Sequence, residues 1–204
     1  MNEIKQILFD CGGVFVDIQF RQLIEKLTGS KEAGEAFYDR LFAPGTPWSL
    51  CYDKGIYNKQ QTYEALLEWM GDADAGILRQ FMDEWPYWLP TFPEMETIVD
   101  ELHANGYKCY LLSNFSEQFE EFEKTCPAIA NLDQKLISYR IHMIKPNHDI
   151  FEYAAKELGI KPEETIFVDD YEPNVKGACE VGYQGYLYTS ATELRRYLKE
   201  RGIL

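Results

Sequence analysis

The sequence contains no apolar stretch long enough to cross a bilayer. Its N-terminal residues, Met1 to Gln6, lack the basic and then apolar pattern of a signal peptide. The first apolar stretch, Ile7 to Phe9, ends at Asp10 and is typical of a short strand. We therefore expect a soluble, cytoplasmic protein that does not act on a membrane.

Cysteines and basic residues are both few. The five cysteines are odd in number and form no C-x-x-C pair, which disfavours a disulfide framework or a zinc site and favours reduced thiols. Cys11 lies beside Asp10, and we expect a buried structural thiol there rather than a reactive one. The chain has 20 Lys and Arg against 34 Asp and Glu, which disfavours nucleic acid as a partner. A small anionic substrate is compatible with this charge, because a metal ion, a lysine and backbone N–H groups can bind phosphate locally.

Apolar residues are plentiful, at 46% of the 204 residues, which is enough for a sizeable core. Short runs, most of them nearly all apolar, are typical of parallel strands buried on both faces. Amphipathic stretches that end near glycine lie between these runs and are predicted to be helices. The predicted strands are Gln6–Phe9, Lys108–Leu112, Lys135–Tyr139, Thr165–Val168 and Gly185–Tyr188, and the predicted helices run from about Pro93 to Gly106, His148 to Leu158, Pro173 to Val181 and Ser190 to Gly202.

Alternating strands and helices indicate right-handed βαβ units, and hence an α/β fold. Residues 17–90 interrupt this alternation with apolar residues at helical spacing and an aromatic cluster, and a simple strand-to-helix connection needs far fewer residues. The sequence therefore predicts a Rossmann-like, doubly wound parallel sheet core with an inserted helical cap. The core is predicted to comprise residues 1–16 and 91–204, and the cap residues 17–90.

Polar side chains follow the first two predicted strands. Asp10 comes directly after the first strand and is followed by Gly12 and Gly13, which let backbone approach a ligand closely. Ser113 and Asn114 follow the second strand, where a hydroxyl and an amide can hold phosphate oxygens. Taken singly, these residues also fit ordinary turns and helix caps.

Charged side chains follow the third and fourth predicted strands. Lys145 precedes Pro146 and a helix, where a fixed lysine can neutralise phosphate, although most lysines are simply solvated. Asp169 and Asp170 are adjacent carboxylates straight after an apolar strand, and a divalent cation would relieve their repulsion. Ligands of doubly wound sheets bind at the carboxyl ends of strands, so we expect all these side chains to lie at one edge.

These polar and charged groups occur along the chain in the order Asp, Ser, Lys-Pro and Asp-Asp. With the groups in this order, the sequence resembles the haloacid dehalogenase superfamily along its whole length. The most similar branch holds the sugar-1-phosphate phosphatases and the N-terminal phosphatase domain of soluble epoxide hydrolases. The segments that carry the resemblance are Ile7–Asp17, Leu111–Asn114, Lys145-Pro146, Val168–Asn174 and, in the cap, Tyr52–Ile56.

The resemblance implies a hydrolase that acts on a small phosphate monoester through an aspartyl phosphate. Asp10 would attack phosphorus. Ser113 and the backbone or side chain of Asn114 would bind the transferred phosphoryl group, and Lys145 would balance its charge.

The resemblance also implies a magnesium ion. Asp10, the backbone carbonyl of Gly12 and Asp170 would hold it, and Asp169 would reach it through water. Metal and lysine together offset the repulsion between an anionic nucleophile and an anionic substrate.

Gly12 departs from the superfamily pattern, because most of its phosphatases carry there a second Asp that serves as general acid and base. Such help is typically worth roughly 10²–10⁴-fold in rate. Three explanations stay open. The substrate has a good leaving group such as an anomeric hydroxyl, which we favour; or Asp17, His142, Glu172 or a water substitutes; or the protein is a weak enzyme with a phosphate-ligand binding or interaction role.

Two other reactions of the superfamily rank lower. Its dehalogenases also lack the second Asp, but they need no metal, and two adjacent carboxylates disfavour a metal-free site. Phosphonate cleavage needs a cap lysine that forms an imine, and no lysine of the cap stands out. Aromatic cap residues can stack on sugar rings, although we expect at least half of the candidates to form the cap's own core; the candidates are Trp48, Tyr52, Trp69, Trp85 and Trp88.

Overall fold

The computed structural model describes residues 3–204, and it contains one five-stranded sheet. All strand pairs are parallel, in the order β3-β2-β1-β4-β5, so the chain builds one half of the sheet and then crosses β1 to build the other. This arrangement confirms the predicted doubly wound α/β fold. The strands are β1 (Gln6–Phe9), β2 (Lys108–Ser113), β3 (Gln134–Ile137), β4 (Thr165–Asp169) and β5 (Gln184–Leu187).

Residues 17–90, which follow β1, are mostly helical, as predicted. Asn58 caps one of the helices, since its side chain accepts from the backbone of Gln61 while the Gln61 side chain accepts from the backbone of Asn58. A single wide turn, Trp48–Tyr52, lies among these helices. The four helices are α1 (Phe20–Thr28), α2 (Lys31–Leu41), α3 (Lys59–Met70) and α4 (Ala75–Glu84).

The chain enters and leaves this helical stretch at one place. Val16 pairs with Thr91 in an antiparallel bridge, and the Asp17 N–H donates to the Pro90 carbonyl at 2.8 Å. The division into a core of 1–16 and 91–204 and a cap of 17–90 stays a prediction, and residues 1 and 2 lie outside the described residues. We use the word cap for the helical stretch 17–90.

The remaining helices cover the two faces of the sheet. Those on one face pack against Ile7, Phe9 and Val168, while those on the other pack against Leu8 and Phe167, so successive strand residues serve opposite cores. No helix within residues 3–204 is long and apolar enough to span a membrane. The helices are α5 (Pro93–Ala104), α6 (Phe119–Phe122), α7 (Pro127–Ala130), α8 (Ser138–Ile141), α9 (His148–Leu158), α10 (Glu172–Val181) and α11 (Ala191–Glu200).

The third strand is shorter at its end than predicted. Ser138 and Tyr139 were expected in the strand but begin α8. The reason is that the Ser138 hydroxyl bonds backbone groups of Phe115 and Asp53, and these bonds hold Ser138 away from the strand ladder. At the other edge β5 ends at Leu187, so Tyr188, which was predicted in the strand, lies just outside it.

Candidate active site

The predicted site residues meet at the carboxyl edge of the sheet. Phe9 of β1 pairs with Leu111 of β2 and with Val168 of β4. Asp10 therefore lies just after the end of the central strand, between the ends of the two neighbouring strands. This edge is the point where the strand order reverses, at which doubly wound folds bind ligands.

Lys145 lies in the centre of the carboxylates. It is buried, and its Nζ is 2.7 Å from Asp10 Oδ1 and 2.7 Å from Asp169 Oδ2. The Asn114 side chain fixes its backbone: the amide oxygen accepts from the Lys145 N–H at 2.8 Å, and the amide nitrogen donates to the Lys145 carbonyl at 2.9 Å. The side chain of Asn114 is thus occupied, and its backbone N–H is the part left to face a phosphate.

Asp169 is fully buried, and both its oxygens have partners. Besides Lys145, its carboxylate accepts from the Tyr171 N–H at 2.8 Å and from the Asn174 side chain at 2.9 Å. Asn174 lies on α10 and lines the cavity beside these carboxylates; the sequence places it in a motif but indicates no role for it. Asp169 is therefore a fixed anion that holds Lys145.

Asp170 has no such partner within residues 3–204 and is exposed at the site. A Cβ on Gly13 would lie 2.0 Å from Asp170 Oδ2, and Gly13 has a φ of +70°, so only glycine leaves room for this carboxylate. Carboxyl oxygens of Asp10, Asp169 and Asp170 all lie within 4.8 Å of one another. No described backbone N–H donates to the nearby Gly12 carbonyl.

These groups fit a divalent cation. Burial, opposed by Lys145 and reinforced by Asp169, raises the pKa of Asp10 to about 7. Burial and then the charge of Asp169 also raise the pKa of Asp170. Three carboxylates face one lysine, and oxygen ligands are those that magnesium prefers, so a cation would relieve a repulsion that the protein leaves uncompensated.

A cavity of about 240 Å³ lies between this edge and the cap. Phe20, Trp48 and Trp85 line it from the cap, and Ser113 lines it from the core. The Ser113 hydroxyl makes no side-chain hydrogen bond to a residue in 3–204, yet it is not sealed from the cavity. It is free to bond a ligand.

Three of the five candidate aromatic residues are buried, and the other two are not. Trp48, Tyr52 and Trp85 are buried in the cap, as expected for at least half of the set, and the two tryptophans also line the cavity. Trp69 is 53% exposed and Trp88 is half-buried, and neither lines the cavity.

The three side chains considered as replacements for the missing acid lie elsewhere. Asp17 accepts from Gln19, and Glu172 is exposed in an ion pair. His142 is exposed and bonds the Lys54 carbonyl. None of the three lines the cavity.

Asp53 of the cap does line the cavity. It stood in the sequence only as part of the cap segment that resembles the superfamily, and no local pattern could have shown where its side chain lies. Cys11, beside the nucleophile position, is fully buried, and burial raises the pKa of its thiol well above the usual range, as expected for a structural thiol.

The site has a buried lysine among carboxylates, at the point where the strand order of a Rossmann-like sheet reverses, and a helical cap lies over it. These features together indicate a hydrolase of the phosphatase type. Residues 4–182 match the family model of haloacid dehalogenase-like hydrolases, and the chain belongs to that family. It is 26% identical to D-ribitol-5-phosphate phosphatase of Bacteroides thetaiotaomicron, over 96% of this chain and 97% of that one.

Two solved structures are similar over nearly the whole chain. A family enzyme from Bacteroides thetaiotaomicron, in complex with magnesium and inorganic phosphate, has a TM-score of 0.73 and 25% identity, and the match covers 91% of this chain and 94% of that one. A dehalogenase has a TM-score of 0.75 at 20% identity, covering 97% and 98%. The second likeness concerns the fold alone.

Proposed function

We propose that this protein is a magnesium-dependent phosphatase that hydrolyses a small phosphate monoester through an aspartyl phosphate at Asp10. The observation that carries the proposal is the position of Lys145, buried between Asp10 and Asp169 with Asp170 alongside. A lysine fixed in this way balances part of the negative charge of a site with three carboxylates, whereas a metal-free dehalogenase has no use for three clustered carboxylates.

The chain's own residues provide binding and attack. The Asp10 carboxylate stands at the floor of the cavity and attacks phosphorus. The Ser113 hydroxyl and the Asn114 backbone N–H bond the phosphoryl oxygens. The Lys145 ammonium is held by Asp169, on a backbone that Asn114 fixes, and it neutralises charge on the transferred group. These donors are in place before substrate arrives, so little reorganisation is needed.

Asp10, the Gly12 carbonyl and Asp170 would hold magnesium, and Asp169 would reach it through water. When bound, the ion would supply positive charge that offsets the repulsion between the Asp10 carboxylate and the phosphoryl oxygens. Gly13 contributes by having no side chain where the Asp170 carboxylate lies.

The substrate proposed is a small polyol or sugar phosphate. A cavity of about 240 Å³ lined by Phe20, Trp48 and Trp85 suits a compact molecule with one face that packs on aromatic rings. The relative that acts on D-ribitol 5-phosphate, by its name, supports this class of substrate for the present chain.

The test is phosphate release from p-nitrophenyl phosphate and from a panel of polyol and sugar phosphates, with magnesium or with EDTA. We expect turnover that needs magnesium and that Asp10→Asn abolishes. Asp100→Asn removes the same charge from an exposed position on α5 and should leave turnover unchanged. Turnover that survives in Asp10→Asn would show that Asp10 is not the nucleophile.

A second function, phosphate-ligand binding with feeble catalysis, is favoured by one observation, the glycine at position 12. It predicts that folded protein binds inorganic phosphate in the presence of magnesium, measured by calorimetry, yet turns over nothing in the panel. Turnover of any panel member at an ordinary enzymatic rate excludes it.

A further inference from the structure

The wall of the cavity beside Gly12 is occupied by an apolar side chain. A Cβ built on Gly12 would lie 3.2 Å from Cδ1 of Ile18, and Ile18 lines the cavity. An acid at position 12 would have to displace this side chain. A protein side chain that serves as general acid therefore has to come from another part of the cavity wall.

Asp53 lies on the cap side of that wall, in a loop of residues 53–55 that we call the Asp53 loop. The Ser138 hydroxyl bonds the Asp53 carbonyl, and the His142 ring Nδ1 lies 3.0 Å from the Lys54 carbonyl. Both partners belong to the α8 region of the core, so the loop is docked on the core at two successive carbonyls.

Gly55 completes the docking. A Cβ at this position would lie 2.2 Å from the Tyr139 carbonyl oxygen, and Gly55 has a φ of +69°. Only glycine allows the Asp53 loop to approach α8 this closely. The loop is thus fixed against the core, and the Asp53 side chain has a defined position over the site.

The Asp53 carboxyl has no partner of its own. It makes no hydrogen bond or ion pair with a side chain or N–H group in residues 3–204, although it lines the cavity together with Asp10 and Lys145. Burial alone raises the pKa of Asp53 to about 7. A general acid works best when its pKa lies near the working pH, because it then both holds and releases a proton.

We propose that Asp53 is the general acid and base of the reaction, in place of the residue that Gly12 does not supply. This rests on the proposed phosphatase function. In the first step Asp10 forms a bond to phosphorus, the bond from phosphorus to the ester oxygen breaks, and the Asp53 carboxyl gives its proton to that oxygen. The alcohol leaves, and Asp53 is a carboxylate.

The second step restores the enzyme. The Asp53 carboxylate takes a proton from water while the water oxygen bonds to phosphorus, and the bond from phosphorus to Asp10 breaks. Inorganic phosphate leaves, Asp10 is again a carboxylate and Asp53 is again protonated. The same side chain therefore serves both steps, and no other reactant is needed.

The test compares two substrates in Asp53→Asn: p-nitrophenyl phosphate, whose leaving group needs no proton, and the best alkyl phosphate of the panel. The parameter kcat/KM reports steps up to release of the alcohol. We expect it to fall by about 10²–10⁴-fold for the alkyl phosphate and by less than about tenfold for p-nitrophenyl phosphate. Hydrolysis of the aspartyl phosphate should also be slow, so p-nitrophenol should appear in a burst equal to the enzyme concentration.

Asp72→Asn is the matched control, because Asp72 is an exposed aspartate of the cap, and it should change neither parameter. The ratio of the two kcat/KM values within one preparation does not depend on the fraction folded, so partial unfolding of Asp53→Asn cannot produce the result. An unchanged ratio in Asp53→Asn would overturn the role of Asp53 while leaving the phosphatase intact. Absence of magnesium-dependent turnover in the unmodified protein would instead overturn the proposed function.

Discussion

At the scale of single residues, the site separates two kinds of carboxylate. Asp169 has its oxygens occupied by Lys145, Asn174 and a backbone N–H, and it serves as a fixed counter-charge. Asp170 and Asp53 have open oxygens, and each faces the cavity from a different side. In the proposed mechanism, environment and not residue type therefore decides which carboxyl binds magnesium, which holds Lys145 in position and which exchanges a proton.

The raised pKa of Asp53 predicts a dependence of stability on pH. The folded chain keeps the Asp53 proton up to about pH 7, whereas the unfolded chain loses it near pH 4. Between these values the unfolded state binds fewer protons, so this residue lowers the free energy of unfolding as pH rises. Asp53→Asn should therefore be more stable than the unmodified protein at pH 8, by roughly 1–2 kcal/mol after a discount for partial exposure, and equally stable near pH 4.

Denaturant unfolding of both proteins across this pH range measures the difference. The other ionisable groups near Asp53 are common to both, so subtraction isolates its contribution; they are Asp10, Lys145 and Asp170 in the cavity and Lys54, Glu117 and His142 around the loop. A difference that stays constant from pH 4 to pH 8 would mean that the Asp53 pKa is not raised.

Gly13→Ala should weaken magnesium binding. The added methyl group would occupy the position of the Asp170 carboxylate, and the positive φ adds strain. Magnesium that binds only the folded chain raises its stability by about 2.7 kcal/mol at a hundredfold excess over Kd. We expect the rise in melting temperature on adding magnesium to be largely lost in Gly13→Ala and kept in Gly76→Ala, since Gly76 has nothing within 4 Å of an added Cβ. Equal rises in both variants would place the ion elsewhere.

At the scale of elements, one side chain of the core joins the cap to the sheet. Gln118, between β2 and α6, is buried; its amide oxygen accepts from the Tyr52 hydroxyl and, at 2.9 Å, from the Trp85 indole N–H. Its amide nitrogen donates to the Met82 carbonyl at 2.6 Å. Three cap groups thus depend on one amide.

Gln118→Leu should destabilise the protein. It leaves those three polar groups buried without a partner, and each such loss costs about 1–3 kcal/mol, so a total of at least roughly 3 kcal/mol is expected. Gln80→Leu is the control, because Gln80 is exposed and bonds only Glu84 of its own helix; it should stay within about 0.5 kcal/mol. Urea unfolding measures both. Similar stabilities for the two variants would show that the cap does not depend on this amide.

The elements that the sequence predicts well are those with a strong local signal. The apolar run of β4 and the capped start of α11 at Ser190 both stand where expected. Ser138 was placed in a strand because apolar pattern alone cannot show a hydroxyl bonded to residues distant in the chain. The same limit applies to Asp53, whose place over the site depends on how the Asp53 loop docks on α8.

At the scale of the whole molecule, the reacting groups come from two bodies. In the proposed mechanism the sheet edge supplies the nucleophile, the lysine and the metal ligands, and the cap supplies Asp53 and the apolar side chains that cover the cavity. The sequence predicts the first set because strand ends of a doubly wound sheet meet at one edge. The second set depends on the packing of the cap, which no spacing along the chain specifies.

The central claim is that Asp10 carries the phosphoryl group. The most direct test is to quench turnover of p-nitrophenyl phosphate in acid, in the presence of magnesium, and to map phosphorylated peptides by mass spectrometry in the unmodified protein and in Asp53→Asn. The account predicts a phosphoryl group on Asp10 in both, with more of it in Asp53→Asn because its hydrolysis is slow. Turnover without a phosphoryl group on Asp10 in either protein would contradict the account.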